Sequence, residues 1–428
     1  MNNSTHPTRT ISNNKFVIMT SLGSALEFYD FIIFVYLANV IAPLFFPATN
    51  HINSLLATFG VFSVGYLARP IGGIIFSHFG DLYGRKKIFY LTIMLMAIPS
   101  LLIAFLPTYT SIGILAPIML IILRIIQGLA IGGETPGMIT YVFELVNAKH
   151  RGRYISFLFA ASALSTFIAQ GIIILLHFLL SNDVFNQWGW RIPFIFGSLL
   201  GIVGGYLRKN LIESKAFIKT EYKIKFANIP LIHLLQHHAF QIIKGIIMIA
   251  FISVTMLLLF VYMPIYLTNF RTYMISSMHI QMMIALSLLI FACFIIIFGF
   301  YSDVIGRKYL LITGILLMAI TLYPLYVILL TQSIGYVLIA MLILSLFFAI
   351  IIACYGTFLA EMFPTNIRFS AIAIIYNIGF SFFGGTAPLL STYLIKITNN
   401  PMILSIYMII LAILSLISVI LIKLNKQN

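Results

Sequence analysis

Five charged side chains lie inside long apolar runs of this 428-residue chain: Glu27, Asp30, Arg69, Arg124 and Glu134. A charged group within a bilayer costs about 2.5 kcal/mol or more, so charges that are present there usually face a cavity and serve a function. Arginine can hold a carboxylate through two parallel hydrogen bonds, and a buried carboxyl group can take up and release a proton. These residue types are suited to binding a carboxylate and to proton transfer.

Depth along each helix separates the roles of these residues. At about 1.5 Å of rise per residue, Arg124 is roughly 18 Å into its apolar run, near the bilayer middle, and we expect it to contact the substrate. Arg69 is placed in the inner half, where it either receives the substrate or forms a structural ion pair. Glu27 and Asp30 are neighbours on one helical face, and we favour Asp30 as proton carrier because it is deeper. Glu134 either carries a proton or braces neighbouring helices.

The composition indicates which solvent surrounds the chain. Hydrophobic residues make up 61% of it, charged residues only 8%, and the mean hydropathy is +1.08. Soluble domains contain about 25% charged residues. The chain is therefore predicted to be an integral membrane protein. Its apolar runs far exceed the roughly ten-residue strands of a membrane barrel, so the prediction is an all-α protein.

Twelve apolar runs are long enough to cross roughly 30 Å of hydrocarbon and predict twelve transmembrane helices. They lie near residues 17–45, 54–78, 88–106, 112–143, 154–180, 190–208, 241–268, 278–301, 309–330, 334–358, 369–395 and 401–423. The first run is long enough to stay in the bilayer, so we expect no cleaved signal peptide. The predicted organisation is an N-terminal tail 1–16, a first half 17–208, a central loop 209–240, a second half 241–423 and a tail 424–428.

The positive charges predict the orientation of the chain. With the N terminus inside, 20 of the 25 Lys and Arg residues fall in or beside inward loops, three face outward, and Arg69 and Arg124 lie within spans. This asymmetry predicts that both termini are cytoplasmic. The net charge of +15 then reflects a basic inner face beside anionic membrane lipid. No nucleic-acid-binding motif suggests another partner.

Two charged loop patterns occur once in each half. GDLYGRK at 80–86 is matched by SDVIGRK at 302–308, about 220 residues later. Glutamate precedes arginine by seven residues both at Glu144 and Arg151 and at Glu361 and Arg368. Two independent markers in the same order predict that the halves are structural repeats.

These paired loops resemble those of the major facilitator superfamily, whose fold has twelve transmembrane helices in two pseudo-symmetric six-helix halves. The resemblance implies an inner-face charge network that locks the halves together while the carrier is open outward. Its expected members are Asp81, Arg85, Glu144, Arg151, Asp303, Arg307, Glu361 and Arg368.

Four strings narrow the resemblance: GSALEFYDF at 23–31, ARPIGG at 68–73, RIIQGLAIGGE at 124–134 and WGWRIPF at 188–194. They are similar to those of the bacterial metabolite:proton symporter family, which includes carriers of proline/betaine, 2-oxoglutarate, citrate and shikimate. The likeness extends over about residues 20–420. It implies import across the bacterial inner membrane by alternating access, driven by a proton gradient without a cofactor, by a protein that functions as a monomer.

Uncharged residues within the spans are further candidates for substrate contact. Gln127, one turn from Arg124, and Gln170 could donate to a carboxylate or to a neighbouring helix. The second half has almost no charge inside its spans, and its tyrosine faces could hold an ammonium group. Its candidates, each of which could instead serve only packing, are Tyr262, Tyr355, Tyr376 and Asn377. A glycine series, Gly128, Gly132, Gly133 and Gly137, favours close approach of another helix over ligand contact.

Two substrate classes remain open. Two intramembrane arginines suit 2-oxoglutarate or citrate, while one arginine with aromatic residues suits a zwitterion such as proline or betaine. The string VTMLLLFVYMPIYL at 254–267 resembles the proline/betaine carriers, and we favour the zwitterion. Only five residues follow Lys423, so we expect no carboxy-terminal coiled coil and no osmotic activation through one.

Export or exchange by the same fold stays open, because sequence does not fix the direction of flux. The other functional classes lack the residues or motifs that they would need. An enzyme is disfavoured since no nucleophile–base pair or cofactor motif lies in the predicted spans. ATP drive is disfavoured because the GxxxxGK[ST] loop is missing. His233, His237 and His238 have no carboxylate or cysteine companion, which favours an interfacial helix over a metal site.

Overall fold

The computed structural model of the protein describes residues 21, 25, 28–83, 85–209, 230–270, 276–331 and 333–422. Within these residues every regular element is a helix. Hydrocarbon offers no hydrogen-bond partners to the backbone, and helices pair their amides and carbonyls internally. The prediction of an all-helical membrane protein is confirmed.

The first half contains eleven α-helices among the described residues. They are α1 Phe28–Tyr36, α2 Ala38–Phe45, α3 His51–Leu67, α4 Arg69–Tyr83, α5 Arg85–Ala104, α6 Tyr109–Ile112, α7 Leu115–Ile131, α8 Glu134–Leu145, α9 Arg151–Leu179, α10 Asn182–Gln187 and α11 Ile192–Lys209. Short 3₁₀ turns at Ala148–His150 and Gly189–Arg191 precede α9 and α11.

The second half contains eight further α-helices in the described part. They are α12 Pro230–Met256, α13 Met263–Asn269, α14 Ser277–Ile305, α15 Arg307–Leu329, α16 Ile334–Glu361, α17 Thr365–Ile378, α18 Ala387–Thr398 and α19 Ile403–Leu421. Two π-helical segments, Leu257–Tyr262 and Gly379–Gly384, join α12 to α13 and α17 towards α18. Such segments leave backbone carbonyls without regular partners and often mark functional sites.

The helices agree with most of the predicted spans. Nine helical stretches of the described residues are long and apolar enough to cross a membrane, and the pair α1 and α2, bent by 68°, makes a tenth. The predicted spans 88–106 and 190–208 coincide with α5 and α11, and the apolar part of α5 is only Tyr90–Ala104. α12 begins at Pro230, inside the predicted central loop 209–240, and its apolar part begins at His238.

Glycines bring α3 and α4 close to α7. A Cβ atom added at Gly128 would collide with the Gly65 carbonyl oxygen, and one at Gly132 would collide with the backbone of Arg69 and Gly73. The predicted packing role of Gly128 and Gly132 is therefore confirmed. At Gly133 an added Cβ would meet no atom within 4 Å, so the packing prediction is wrong there. Gly133 lies at the break between α7 and α8, outside both helices.

The two halves meet along α9 and α14 through small residues. A Cβ at Gly152 would collide with the Ser302 hydroxyl, and a Cβ at Gly299 would collide with that of Ser156. Small residues let helix backbones approach closely in a membrane, where van der Waals packing drives association. Contacts of α17 with α4 and α8, and of α18 with α3, extend the interface around the centre of the protein.

Candidate functional site

Arg124 forms the centre of a buried polar network in the first half. Its side chain on α7 is 0% exposed, and its Nη1 donates to Gln127 Oε1 at 3.0 Å. Gln127 Nε2 in turn donates to the Ser100 hydroxyl of α5 at 2.8 Å. The guanidinium carbon lies 3.9 Å from the centre of the Phe34 ring. Helices α1, α5 and α7 thus fix the arginine from three sides.

Asp30 belongs to the same network. Its side chain is 3% exposed, and its carboxylate interacts with Ser100, Gln127 and Arg124. Its Oδ1 accepts no hydrogen bond from the described residues, and a Cβ added at Gly197 of α11 would lie 2.5 Å from that oxygen. A carboxylate beside a buried guanidinium can change protonation when the guanidinium gains another anionic partner, because the two interactions compete.

One edge of Arg124 is left for a ligand. Its Nε and Nη2 have no hydrogen-bond partner among the described residues, although they are buried. These two N–H groups form the side-on fork of a guanidinium, which matches the two oxygens of one carboxylate. Buried donors without partners are costly and rare in proteins. The arrangement can therefore bind a small carboxylate with two parallel hydrogen bonds.

Arg69 lies among aromatic rings from both halves. Its guanidinium carbon is 5.2 Å from the ring centre of Tyr66, 5.7 Å from that of Tyr376 and 5.7 Å from that of Phe380. Distances below about 6 Å are attractive for a cation and an aromatic face. Tyr376 and Phe380 stack on each other at 4.3 Å. Of the tyrosines predicted to contact the substrate, Tyr376 thus lies beside Arg69.

Tyr66 lies between the two arginines. Its ring packs edge to face on Phe31 at 4.5 Å, and Phe31 in turn lies 5.2 Å from the Arg124 guanidinium carbon. Tyr66 also interacts electrostatically with Arg124. One continuous set of side chains therefore runs from Asp30 and Arg124 to Arg69.

Three of the four remaining second-half and α9 candidates, Asn377, Tyr262 and Tyr355, contact other protein groups. Asn377 donates to the Gly132 carbonyl of α7 at 2.6 Å, and Tyr262 shares a 2.8 Å hydrogen bond with Thr392. Tyr355 packs on Phe159 at 4.6 Å and interacts with both Tyr376 and Arg69. Gln170 is buried in α9, and its Oε1 has no hydrogen-bond partner among the described residues. Tyr355 thus extends the aromatic group, whereas Tyr262 belongs to a separate contact with α18.

The predicted proton carriers are distributed unevenly. Asp30 is at the Arg124 network, and Glu134 is the buried first residue of α8, directly after the break between α7 and α8. Glu27 lies outside the described residues. The acidic pair predicted for residues 27 and 30 is therefore seen only at Asp30.

Hydroxyl groups of the first half bond to carbonyls of the π-helical segments. Tyr36 donates to Phe260 at 3.0 Å, and Ser63 donates to Gly385, which directly follows the second π-helical segment, at 2.9 Å. A polar pair on the same side, Lys396 Nζ and Asn53 Oδ1, is 2.8 Å apart. These bonds join the halves on the face that the charge pattern predicts to be outer.

Charged residues join the halves on the opposite face. Asp303 of the second half accepts from the backbone amides of Gly152 and Arg153 at 2.8 and 2.9 Å, at the N-terminus of α9. The helix dipole favours a carboxylate at that position. Arg368 pairs with Glu144 of the first half at 2.9 Å.

The rest of this inner-face network lies around Arg307. Its guanidinium binds Asp303 and Glu361 and also donates to the Ala148 carbonyl at 3.2 Å. Arg151 stacks on Phe143, with its guanidinium carbon 3.9 Å from the ring centre. Of the predicted network, only the side chains of Asp81 and Arg85 fall outside the described part of the chain. The structure brings the other six together, and their gating role stays a prediction.

Several residues of the site carry no charge and were missed in the sequence. Tyr66 stands three residues before Arg69, and Phe380 four residues after Tyr376, so helical spacing could have placed both beside predicted residues. In a chain with 38 Phe and 22 Tyr this signal is weak. Ser100 gave no signal, since a single serine in an apolar span commonly bonds to its own helix.

Among the described residues, no three His, Cys, Asp or Glu side chains are grouped closely enough to hold an ion. His238 interacts instead with Gln241 at 3.0 Å.

Comparisons with known proteins agree with this architecture. Residues 16–231 match the sequence profile described as Sugar (and other) transporter, and residues 246–427 match that of the Major Facilitator Superfamily. A putative proline/betaine transporter of Staphylococcus haemolyticus is 35% identical over 90% of this chain and 82% of its own length. The proline/betaine transporter of Salmonella typhimurium is 31% identical over 94% and 82%.

A solved structure shows the same fold. The xylose transporter XylE of E. coli, in a partially occluded inward open conformation, superimposes with a TM-score of 0.78 at 19% identity. The match covers 97% of this chain and 99% of XylE. Together with the sequence relatives and the repeated halves, it establishes that the chain belongs to the major facilitator superfamily and is a membrane transporter, not an enzyme.

Proposed function

We propose that the protein imports a small zwitterion of the proline or betaine type together with protons, across the bacterial inner membrane. Relatives in Staphylococcus and Salmonella are named as proline/betaine transporters, and their similarity extends over at least 90% of this chain. In this proposal the proton gradient supplies the energy for transport, and no cofactor takes part. The proposed orientation places both termini in the cytoplasm.

The observation that carries the proposal is the unfilled side-on fork of Arg124. A solute carboxylate would satisfy Nε and Nη2 together, and the aromatic rings around Arg69 would face the solute's ammonium group. A zwitterion has both groups on one small molecule. A dicarboxylate such as 2-oxoglutarate would instead pair its second carboxylate with the Arg69 guanidinium, so the similarity to the proline/betaine transporters favours the zwitterion.

Asp30 is the group proposed to couple the proton. Before a substrate binds, the Asp30 carboxylate is attracted by the Arg124 guanidinium. When a substrate carboxylate pairs with Arg124, Asp30 loses part of that attraction and holds a proton more readily. Substrate and proton then favour each other's binding, as symport requires.

The proposed transport cycle alternates between the two sets of contacts between the halves. The bonds around Asp303 and Arg368 close the predicted inner face, and those of Tyr36 and Ser63 close the predicted outer face. Opening on either side would break one set while the other is kept. The substrate at the centre is then exposed to one side of the membrane at a time.

The test is uptake into proteoliposomes that contain the purified protein. Labelled proline, glycine betaine, 2-oxoglutarate and citrate are each supplied with an imposed inward proton gradient. We expect proline or betaine to accumulate, and accumulation to stop when a protonophore removes the gradient. Accumulation of only the di- and tricarboxylates would replace the zwitterion proposal by the alternative class, and efflux or exchange without accumulation would indicate an exporter or exchanger.

The coupling residue is tested in the same vesicles with Asp30→Asn. We expect the variant to exchange internal for external substrate and to lose uphill accumulation, because the amide cannot carry the proton. Asp183→Asn, on exposed α10, is the matched control and should behave as the wild type. Full proton-driven accumulation by Asp30→Asn would assign the coupling to another group.

A further inference from the structure

The ring group around Arg69 is built from both halves of the protein. Tyr66 belongs to α3 of the first half, whereas Tyr376 lies in the last turn of α17 and Phe380 in the second π-helical segment. All three side chains are buried. We call Tyr66, Tyr376 and Phe380 the aromatic cage.

The cage holds a cation that belongs to the protein. The Arg69 guanidinium carbon lies 5.2 to 5.7 Å from the three ring centres. Ring faces attract cations of many shapes, including quaternary ammonium groups, and the attraction increases when water is excluded. A site that attracts the flat guanidinium through its ring faces also suits a rounded methylammonium group.

The cage stands next to the carboxylate position at Arg124. Tyr66 interacts with Arg124 and, through Phe31, is packed towards it. A zwitterion whose carboxylate occupies the Arg124 fork would therefore direct its cationic end towards Tyr66. Two cations cannot share one small apolar cage, because their repulsion is screened little where water is excluded.

We infer that the cage is the subsite for the substrate's quaternary ammonium group, and that this group displaces Arg69 from it. The inference rests on the proposed function for the carboxylate position, and it adds the residues that select the cation. Arg69 then acts as a stand-in cation in the empty carrier. Tyr66 and Phe380 become specificity-determining residues.

A cage assembled from both halves has a consequence for the cycle. The rings are together only while α3 and the π-helical segment Gly379–Gly384 are in contact, as they are here. A bound ammonium group, or Arg69 in its absence, would hold the halves together at this level. Both the empty carrier, with Arg69 in the cage, and the loaded carrier, with the ammonium group there, can then adopt the same closed arrangement. A closed carrier without any cation in the cage is disfavoured.

The selective test compares glycine betaine with 3,3-dimethylbutanoate, in which a neutral carbon replaces the ammonium nitrogen. The two have the same shape and carboxylate, and only betaine has a cation. In competition against labelled betaine, the wild type should prefer betaine by about tenfold, the range of a desolvated cation–π contact. Phe380→Leu and Tyr66→Leu should reduce this preference to about threefold or less. Phe382→Leu, an exposed ring of the same π-helical segment, should retain it.

A second measurement tests the cage with a cation that carries no carboxylate. Binding of tetramethylammonium, followed by saturation-transfer difference NMR, should increase in Arg69→Gln because the competing guanidinium is gone. Adding Phe380→Leu to that variant should abolish the increase. This arm does not depend on the Arg124 fork, so it supports the cage even if the wild type binds no zwitterion and the proposed function fails.

Two results would overturn the inference. One is an unchanged betaine preference in both folded cage variants. The other is tetramethylammonium binding that is the same in the wild type and in Arg69→Gln. Thermal unfolding of each purified variant shows which of them are folded and suitable for comparison.

Discussion

Arg124 illustrates how geometry rather than charge alone defines a binding residue. Its Nη1 is occupied by Gln127, while Nε and Nη2 have no hydrogen-bond partner among the described residues. Gln127 is itself held by Ser100, so the acceptor that orients the guanidinium is fixed in place. The fork is thus fixed before a ligand arrives, which lowers the entropy lost on binding.

Replacement of Arg124 by lysine separates charge from geometry. Lysine keeps the positive charge but cannot donate two parallel hydrogen bonds. We expect Arg124→Lys to weaken substrate binding by about ten- to a hundredfold, which corresponds to the loss of one charge-assisted hydrogen bond. Binding is measured by competition in detergent solution. Arg153→Lys, where the guanidinium stacks on Phe300, is the control and should bind normally; equal affinities in both variants would exclude the fork.

Charge inside an apolar run was the sequence signal that predicted Asp30, Arg69 and Arg124 as candidates. The same reasoning could not predict Tyr66 or Phe380, because an aromatic residue costs nothing in a membrane helix and most serve only packing. It also could not predict that the tyrosines would surround Arg69 while Tyr262 bonds to Thr392 elsewhere. Which ring meets which arginine depends on helix rotation, and that is set by packing of whole elements.

The π-helical segments are the elements that connect the centre to the predicted outer face. Each leaves carbonyls without a regular helical partner. Tyr36 and Ser63 of the first half donate to the carbonyls of Phe260 and Gly385. No apolar pattern in the sequence predicts such a segment, because a π-helix and an α-helix can be formed by the same mostly apolar run. The same deviation that supplies Phe380 to the cage thus also supplies an acceptor for the other half.

Removal of the Tyr36 hydroxyl tests this outer contact. Tyr36→Phe loses one hydrogen bond between the halves, worth about 0.5–1.5 kcal/mol, and keeps the ring. We expect the outward-open population to rise by about two- to tenfold, measured by reaction of an impermeant maleimide with a single cysteine placed at buried Ser54, after Cys293 and Cys354 are replaced by serine. Tyr29→Phe removes a hydroxyl bond of equal length, to Pro193 within the first half, and should leave the population unchanged. Equal labelling of the two variants would show that the outer contact does not control opening.

Close approach of α7 to α3 and α4 sets the position of both arginines. An added Cβ at Gly128 would meet backbone atoms of Gly65, which cannot move as a side chain can. Gly128→Ala should therefore destabilise the protein by about 1–3 kcal/mol and weaken substrate binding, because α7 carries Arg124. Thermal unfolding and binding are measured against Gly133→Ala, where an added Cβ meets no atom within 4 Å. Wild-type stability of Gly128→Ala would mean that α7 can shift without affecting its neighbours.

On the predicted inner face, charged residues of each half bind residues of the other half and hold the molecule together. The repeated loop patterns predicted which charged residues belong to this face. They could not predict that Glu144 pairs with Arg368 of the other half, or that Asp303 bonds to the first turn of α9. Motif spacing fixes what lies near in the chain, whereas these pairs depend on how the two halves are docked.

Asp303 tests whether this docking controls access. Asp303→Asn removes the charge at the α9 N-terminus and replaces one accepting oxygen by an amide that cannot accept from Gly152 or Arg153. Loss of one charge-assisted bond, about 1.5 kcal/mol, should increase the inward-open population by about tenfold and leave substrate binding intact. Spin labels at exposed Leu145 and Tyr309, with Cys293 and Cys354 replaced by serine, report the separation of the halves.

The control for this prediction is Asp183→Asn, an exposed carboxylate remote from the inner face. We expect the label distances of Asp303→Asn to shift towards a longer separation on the labelled side, and those of Asp183→Asn to match the parent. The halves are joined there by several bonds besides those of Asp303, so Arg368→Gln should act in the same direction and the double variant should exceed either alone. Unchanged distances in the double variant would show that the close packing of α9 on α14, rather than charge, keeps this face closed.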